Sequence, residues 1–402
     1  MTSWRGVFLG MVMGSLLAVI GQGTARAAEW SIEPSMSVRG EYHSNLLLAL
    51  EPQLSTYAYW ISPAVRFTGA TETLQVSSRL AFDYVEYYGE RDAKIYNLHF
   101  PLSVQYRQDR SVWGFTGGLD RDNTLRSELQ QTGVVLAFAQ RNLWSAGPSW
   151  TYSLTDRLLA RTSYQFSKAQ YEGGSQRLFL FDYEVHTASE TLSYNIGDRD
   201  TIQVTGLFTR FLLPDRGNLV ADTYGAQMGG THAFSEQLTL SASGGPRFIT
   251  NRIDTRVGTL EDSTTVWVFN GVLAHKFERA NVSLEIGRDI FPSGFGLLIQ
   301  KDHLLARASY QATDHLTFSI NGQAAIINPV ATSDLFTGGA RFRETRFFYI
   351  DPHVRWHFDD YWAVDVGYMY SRREFEGVDR SGESHAVRLL VTYFPLKFSM
   401  SE

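Results

Sequence analysis

Two Ser/His neighbours, His43-Ser44 and Ser384-His385, and the pair His353 and His357 beside Asp351 carry the residue types that nucleophilic or metal-assisted chemistry requires. A nucleophile needs a base within hydrogen-bond reach, and the base needs a third group to orient it. On regular strands adjacent side chains point to opposite faces, so neither Ser/His pair can act as a dyad. His353 and His357 share a face but stand about 13 Å apart along a strand, too far to ligate one metal together. The run Asp120-Arg121-Asp122-Asn123 offers hard oxygen ligands for a calcium ion but matches no complete binding loop. Asp and Asn are ordinary turn residues, so a solvated turn at a loop entry is expected there. Gly229-Gly230 and Gly244-Gly245 read as strand kinks or bulges rather than phosphate loops. No catalytic residue, cofactor or metal site is expected.

The elements that would position these residues have a period of two. Tyr96, Leu98, Phe100, Leu102, Val104 and Tyr106 alternate with Asn97, His99, Ser103, Gln105 and Arg107. Phe348, Ile350, Val354, Trp356 and Phe358 alternate with Tyr349, Asp351, His353, Arg355 and His357. The pattern returns at Leu74 to Tyr84, Val282 to Asp289, Leu316 to Ala324 and Trp362 to Tyr370, in runs of about 10 to 15 residues, long enough to cross a bilayer at a tilt.

The connections alternate too. Tight polar turns fall at Thr71-Glu72-Thr73, Gln108-Asp109-Arg110, Thr155-Asp156-Arg157, Gly197 to Asp200, Ser235-Glu236, Glu278-Arg279, Thr313-Asp314-His315 and Asp359-Asp360. Longer loops are expected between them, at Arg121 to Gly133, Glu172 to Phe179, Leu212 to Val220, Ile253 to Asp262 and Asn328 to Arg343. This predicts an all-β fold: a transmembrane antiparallel up-and-down β-barrel of about 18 strands, or 16, with short periplasmic turns and longer extracellular loops. Tyr106, Tyr152, Tyr194, Phe234, Phe277, Tyr310, Phe358 and Trp362 sit beside the tight turns and predict the periplasmic-side aromatic girdle.

Residues 1–27 read as a signal peptide, with Arg5, an apolar run from Val7 to Ile20, and Ala25-Arg26-Ala27 ahead of the cut. The remaining 28–402 form one barrel domain. The whole chain has net charge −6. Losing Arg5 and Arg26 brings it to −8, the wrong sign for a nucleic-acid partner. Cysteine is absent, which removes disulfides and thiolate metal sites. Aromatics reach 14% while mean hydropathy is only −0.19, as suits a wall whose every second residue faces lipid.

Assigning the apolar face to lipid puts Arg39, Glu41, Arg66, Arg79, Asp83, Arg107, Arg161, Glu285, Asp289, Arg307, Asp351, His353, Arg355 and Asp365 on the inner face, because charge facing hydrocarbon is costly. A mostly polar lumen is expected, with Trp60, Tyr349 and His353 placed where sugars could stack. The runs Val38-Arg39-Gly40-Glu41-Tyr42-His43-Ser44-Asn45-Leu46, Ile61 to Phe67 and Gly147 to Thr155 resemble the β-barrel porins of polysaccharide-export and exosortase-type loci in Gram-negative bacteria. His43 stands where that family usually carries Asp or Asn. The resemblance implies residence in the outer membrane and a part in exopolysaccharide export. The expected partners are outer-membrane lipid, a polysaccharide with periplasmic export machinery, and the barrel-assembly machinery during insertion. A general or nutrient porin and a barrel enzyme acting on envelope lipid or glycan are the competing expectations.

Overall fold

The computed structural model describes residues 28–89, 92–125, 139–172, 180–215, 218–255, 258–330, 344–377 and 380–401. Residues 1–27, expected as a signal peptide, and 126–138, 173–179 and 331–343, where much of three of the expected loops falls, lie outside the described residues.

The first strands are β1 (Glu29–His43), β2 (Thr56–Ala70), β3 (Leu74–Gly89), β4 (Ala93–Gln108), β5 (Ser111–Asn123) and β6 (Gln140–Ser153). Next come β7 (Leu158–Tyr171), β8 (Tyr183–Asn195), β9 (Asp200–Leu213), β10 (Leu219–Ala233), β11 (Leu238–Thr255) and β12 (Gly258–Lys276). The chain finishes with β13 (Ala280–Ser293), β14 (Leu297–Gln311), β15 (Leu316–Pro329), β16 (Thr345–His357), β17 (Trp362–Phe375), β18 (Ser381–Tyr393) and β19 (Phe398–Ser401). From β1 to β18 each strand pairs antiparallel with its sequence neighbour, and β1 closes the sheet by pairing Met36–His43 with β18 and Glu29–Ile32 with β19. Because β18 and β19 lie successively along the same partner, the barrel has eighteen staves. The tail beyond Phe394 therefore completes the seam and covers the lower edge of β1, which would otherwise present unpaired backbone groups.

Alternation decides which side of the wall each residue meets. Val38 and Tyr42 on β1, Tyr59 and Ile61 on β2, Ile202 and Val204 on β9, Ile286 on β13 and Val366 on β17 are all exposed. A water-facing shell of this kind would be unstable, whereas hydrocarbon is its natural solvent, so the exposed set is the lipid face of a transmembrane barrel. Tyr106, Tyr194, Phe234, Phe277, Tyr310, Phe358 and Trp362 are exposed on that face, beside the short turns.

Two expectations about local structure are overturned. Ile253 to Asp262 is not a loop: β11 and β12 stay paired up to Thr255 and Gly258. The segment Asp120 to Asn123 is the end of β5 rather than a turn, because all four residues pair with Gln140–Leu143 of β6.

The wall opens between β12 and β13. β12 and β13 pair only between Phe269–Arg288 and Lys276–Asn281, while β13 and β14 stay paired to Ser293–Leu297. Above Phe269 the β13–β14 hairpin leaves its neighbour and leans into the barrel. Ile290 and Leu298 pack with Ile249, Val266 and Val330. The opposite face, with Phe291, Leu297 and Ile299, packs with Leu48, Ile327 and Phe347. The tip meets the far wall, where Gly294 O accepts from Phe181 N at 2.7 Å and Phe295 and Leu298 contact the cluster of Tyr183, Phe211 and Leu213. Burying such side chains away from lumen water stabilises each contact by about 1.5–3 kcal/mol relative to exposure, which favours the inward position.

Candidate functional site

The inner surface falls into three levels, each set by which side chains the inward register delivers. Near the short turns the lining is hydroxyl and amide: Ser31, Gln75, Ser77, Ser103 and Gln105 on one side, and Thr239, Asn281, Ser283, Ser309, Ser319 and Asn321 on the other. Small polar residues leave room for water, and opposed hydroxyls such as Ser31 and Thr68 at 2.6 Å hydrogen-bond each other across strands.

The middle level is charged, and two of its cations, Arg107 beside the β4–β5 turn and Arg161 near the start of β7, reach down to the short-turn end. All the predicted inner-face residues, Arg39, Glu41, Arg66, Arg79, Asp83, Arg107, Arg161, Glu285, Asp289, Arg307, Asp351, His353, Arg355 and Asp365, occupy the register opposite the lipid-exposed set. They divide into two kinds. Arg388 reaches Asp351 at 3.1 Å and Asp365 at 3.6 Å, and Arg355 approaches Asp365 at 3.6 Å. His353 is 3.8 Å from Asp351. Glu285 meets Arg307 at 3.7 Å and His303 at 3.4 Å, and Asp289 lies 3.7 Å from the same imidazole. Arg39 forms an ion pair with Glu41 at 3.3 Å, and its guanidinium covers the Trp60 ring at 3.9 Å, a cation–π contact. The Arg388, Arg355, Arg307 and His303 contacts link different strands, whereas Arg39–Glu41 and His353–Asp351 lie within one strand.

The second kind has no ion partner. Among the described residues Arg66 on β2, Arg79 on β3, Arg107 on β4 and Arg161 on β7 make no salt bridge, and all are exposed to the lumen. Arg66 and Arg79 are direct ladder partners. They form an arc of uncompensated positive charge along one side of the vestibule, inside a chain whose total charge is negative.

The extracellular level is apolar. Ala58, Val85, Tyr87 and Ile95 are buried together with Leu125. Phe211, Leu213, Ile249, Ile299 and Ile327 are each no more than 1% exposed. The β1–β2 loop descends onto this level. Leu48 adopts φ 51°, a left-handed conformation that an aliphatic side chain rarely takes. It is held there by Asn45, whose amide bonds both Ala49 N and Ala49 O at 2.9 Å, and by Arg373 donating to Leu48 O at 2.6 Å. Gly382 makes the approach feasible, since a Cβ there would stand 2.1 Å from Leu48 O. The expectation of a mostly polar lumen is thus corrected: the upper part is narrowed by aliphatic and aromatic side chains. Trp60 lies under Arg39, and Tyr349 packs against the Leu48 cluster, so neither offers a free stacking face.

The suspected catalytic pairs remain apart. Ser44 Oγ accepts from the His385 backbone N at 2.8 Å, but the His385 ring points outward and bonds Tyr368 Oη at 2.7 Å. His43 faces inward onto Glu41 at 3.4 Å. The fold does assemble a triad that no local motif announces: His99 on β4 lies 2.8 Å from Asp120 and 3.6 Å from Asp83, on the two flanking strands. Above it Asp122 and Arg141 form a two-point buried pair at 3.0 and 2.7 Å. No group of three or more His, Asp or Glu among the described residues is arranged to hold a metal ion.

Sequence reasoning also missed an outer ring of ion pairs near the long loops: Glu86 with Lys94, Lys168 with Glu184, Asp222 between Arg210 and Arg252, Arg288 with Asp302, and Arg372 with Glu374. They lie on the lipid-facing register at its upper limit, where headgroups replace hydrocarbon. The signal was present as charges interrupting the apolar face close to each strand end.

Taken together, the closed wall, its lipid-facing band and its water-accessible inner charges define a transmembrane β-barrel of the bacterial outer-membrane type. No family model matches the chain, and no curated protein is detectably similar to it. Similar solved structures include Pseudomonas aeruginosa OccK7 (OpdD), 10% identical over 93% of this chain and 99% of that one, with a TM-score of 0.47. The outer membrane protein OprD from the same organism is 10% identical over 92% and 94%, with a TM-score of 0.46. OccK2 (OpdF), solved in complex with glucuronate, is 10% identical over 92% and 98%, with a TM-score of 0.43. At such identity the likeness reaches no further than the fold.

Proposed function

We propose that the protein is a passive outer-membrane diffusion channel for small solutes, with a preference for anions. The observation that carries this reading is the arc of Arg66, Arg79, Arg107 and Arg161, without ion partners among the described residues, on the inner face of a polar vestibule. Fixed charge on low-dielectric walls concentrates counter-ions, and rings of arginine in pores favour anionic cargo. The narrowed apolar level above it suits selection among small molecules. Export of an exopolysaccharide, which the sequence resemblance implied, draws less support, because a hydrated glycan would have to pass side chains such as Phe211 and Phe347 with no open stacking platform beside them.

The test is planar-bilayer recording of the purified protein across a potassium chloride gradient. Discrete conductance steps with a reversal potential on the chloride side are expected, and neutralising all four arginines to glutamine removes the bias. A barrel that never conducts, or one that prefers cations, contradicts the proposal.

A further inference from the structure

Arg247 is a buried cation without a counter-ion. It lies on the inward face of β11 and is 8% exposed. Among the described residues no carboxylate comes within ion-pair distance of it, and its hydrogen bond is a donation from Nη1 to the neighbouring Pro246 O at 3.3 Å. Its side chain lies across Gly225 of β10: a Cβ at that position would stand 2.4 Å from Nη1 and 2.6 Å from Cδ. A side chain is thus given up on one strand to seat a guanidinium from the next. Burying a charge unpaired is costly, and the exceptions to pairing cluster at sites where something else supplies the partner.

What the guanidinium borders is a cavity of about 140 Å³ between the β8–β12 wall and the inward-leaning hairpin. Val185, Leu207, Phe211, Val268, Ile290 and Leu298 give it an apolar lining, with Thr209, Thr223 and Gln227 as polar neighbours of the cation. Its one carboxylate, Asp289, is 59% exposed and sits 3.7 Å from the His303 ring, which partners it from β14. The ladder partner of Arg247, Val266, belongs to the part of β12 that β13 has left. The cavity therefore exists because the hairpin leans in. A cavity of about this size accommodates a benzene-sized ring, and a guanidinium fork matches a carboxylate in two-point geometry.

We infer that this cavity is a binding site for a small organic carboxylate with an apolar or aromatic body, the carboxylate on Arg247 and the body against Phe211, Val268 and Leu298. The inference rests on the channel reading, which supplies the route to the site, but its test is separable. Equilibrium dialysis of the full-length folded protein in detergent is run with radiolabelled benzoate, with benzyl alcohol and benzylamine as neutral and cationic analogues of the same size. Benzoate binding at one site is expected, with both analogues at least tenfold weaker. Arg247→Met should weaken benzoate at least tenfold, and Val268→Phe, which keeps the cation but fills the cavity, should do the same. Benzoate binding unchanged in either folded variant, tighter binding of benzylamine, or no benzoate binding to a wild-type protein that conducts would each overturn the site. Arg247-dependent binding to a barrel that shows no conductance would instead leave the site standing and remove the channel reading.

Discussion

Ile286 and Asn321 occupy strands two apart in the same barrel and meet different solvents. Ile286 on β13 is 52% exposed on the lipid face, flanked by Gly271 and Leu304. Asn321 on β15 lines the polar vestibule together with Arg307 and Ser319. Placing lysine at each position separates the two environments. A lysine facing the bilayer midplane costs about 2–4 kcal/mol and falls towards zero near the interfaces. Ile286 stands six residues above the start of β13 at Ala280, close to mid-wall, so Ile286→Lys should cost about 2–4 kcal/mol. At 1.4 kcal/mol per factor of ten, that is about 30- to 700-fold in the folding equilibrium. The same charge at Asn321 enters water and lies near Asp351, its neighbour's position in the ladder, so Asn321→Lys should change stability by less than about 0.5 kcal/mol, as accessible surface substitutions do. The assay is reversible denaturant unfolding from phospholipid vesicles, followed by tryptophan fluorescence and by the mobility shift of unheated barrels in gels. Equal losses at the two positions, or a larger loss at Asn321, would refute the assignment of faces.

Further outcomes follow from the same geometry. Removing the carboxylate of the buried Asp122–Arg141 pair, both side chains 7% exposed, by Asp122→Ala should destabilise by about 3–5 kcal/mol, while the double change with Arg141→Met recovers much of the loss in the same unfolding assay. Phe211→Ala, at a side chain 1% exposed between the far wall and the hairpin, should cost about 3–5 kcal/mol and raise single-channel conductance. Arg388→Met leaves Asp351 and Asp365 without their shared cation, so the reversal potential should move towards cation preference. Arg247→Met removes a buried unpaired charge and should leave stability in ligand-free buffer unchanged or increased.

Much of the wall was legible because one variable, the face a side chain points to, governs both composition and pairing. Ile350, Val354 and Trp356 alternate with Asp351, His353 and Arg355 in the sequence, and the strand register preserves that division from end to end. The short turns were equally visible. Thr71 and Thr155 accept from backbone N–H groups two and three residues on, which is the local chemistry that favours such residues there.

The constriction was illegible for a physical reason. Phe211, Ile249 and Ile299 are apolar and read as wall or core by type; Ile299 lies on the hairpin that the parting of β12 from β13 turns into the lumen, and Ile249 on the wall meets that hairpin through Ile290 and Leu298. Alternation locates a residue relative to its own strand, and it does not report that a strand has left the sheet. The pairing of His99 with Asp83 and Asp120 was hidden likewise, since it spans three strands and no local spacing announces it. The arginines without partners were visible as inner-face charges, but which of them find carboxylates depends on cross-strand neighbours.

The account depends most on the inner face of the lower barrel being water and the outer face hydrocarbon. The native chain has no cysteine, so single cysteines can be placed one at a time along 317–324 of β15 in the protein reconstituted in vesicles. Labelling by a charged, membrane-impermeant thiol reagent should be fast at 317, 319, 321 and 323 and slow at 318, 320, 322 and 324. Uniform labelling, or the opposite phase, would contradict it.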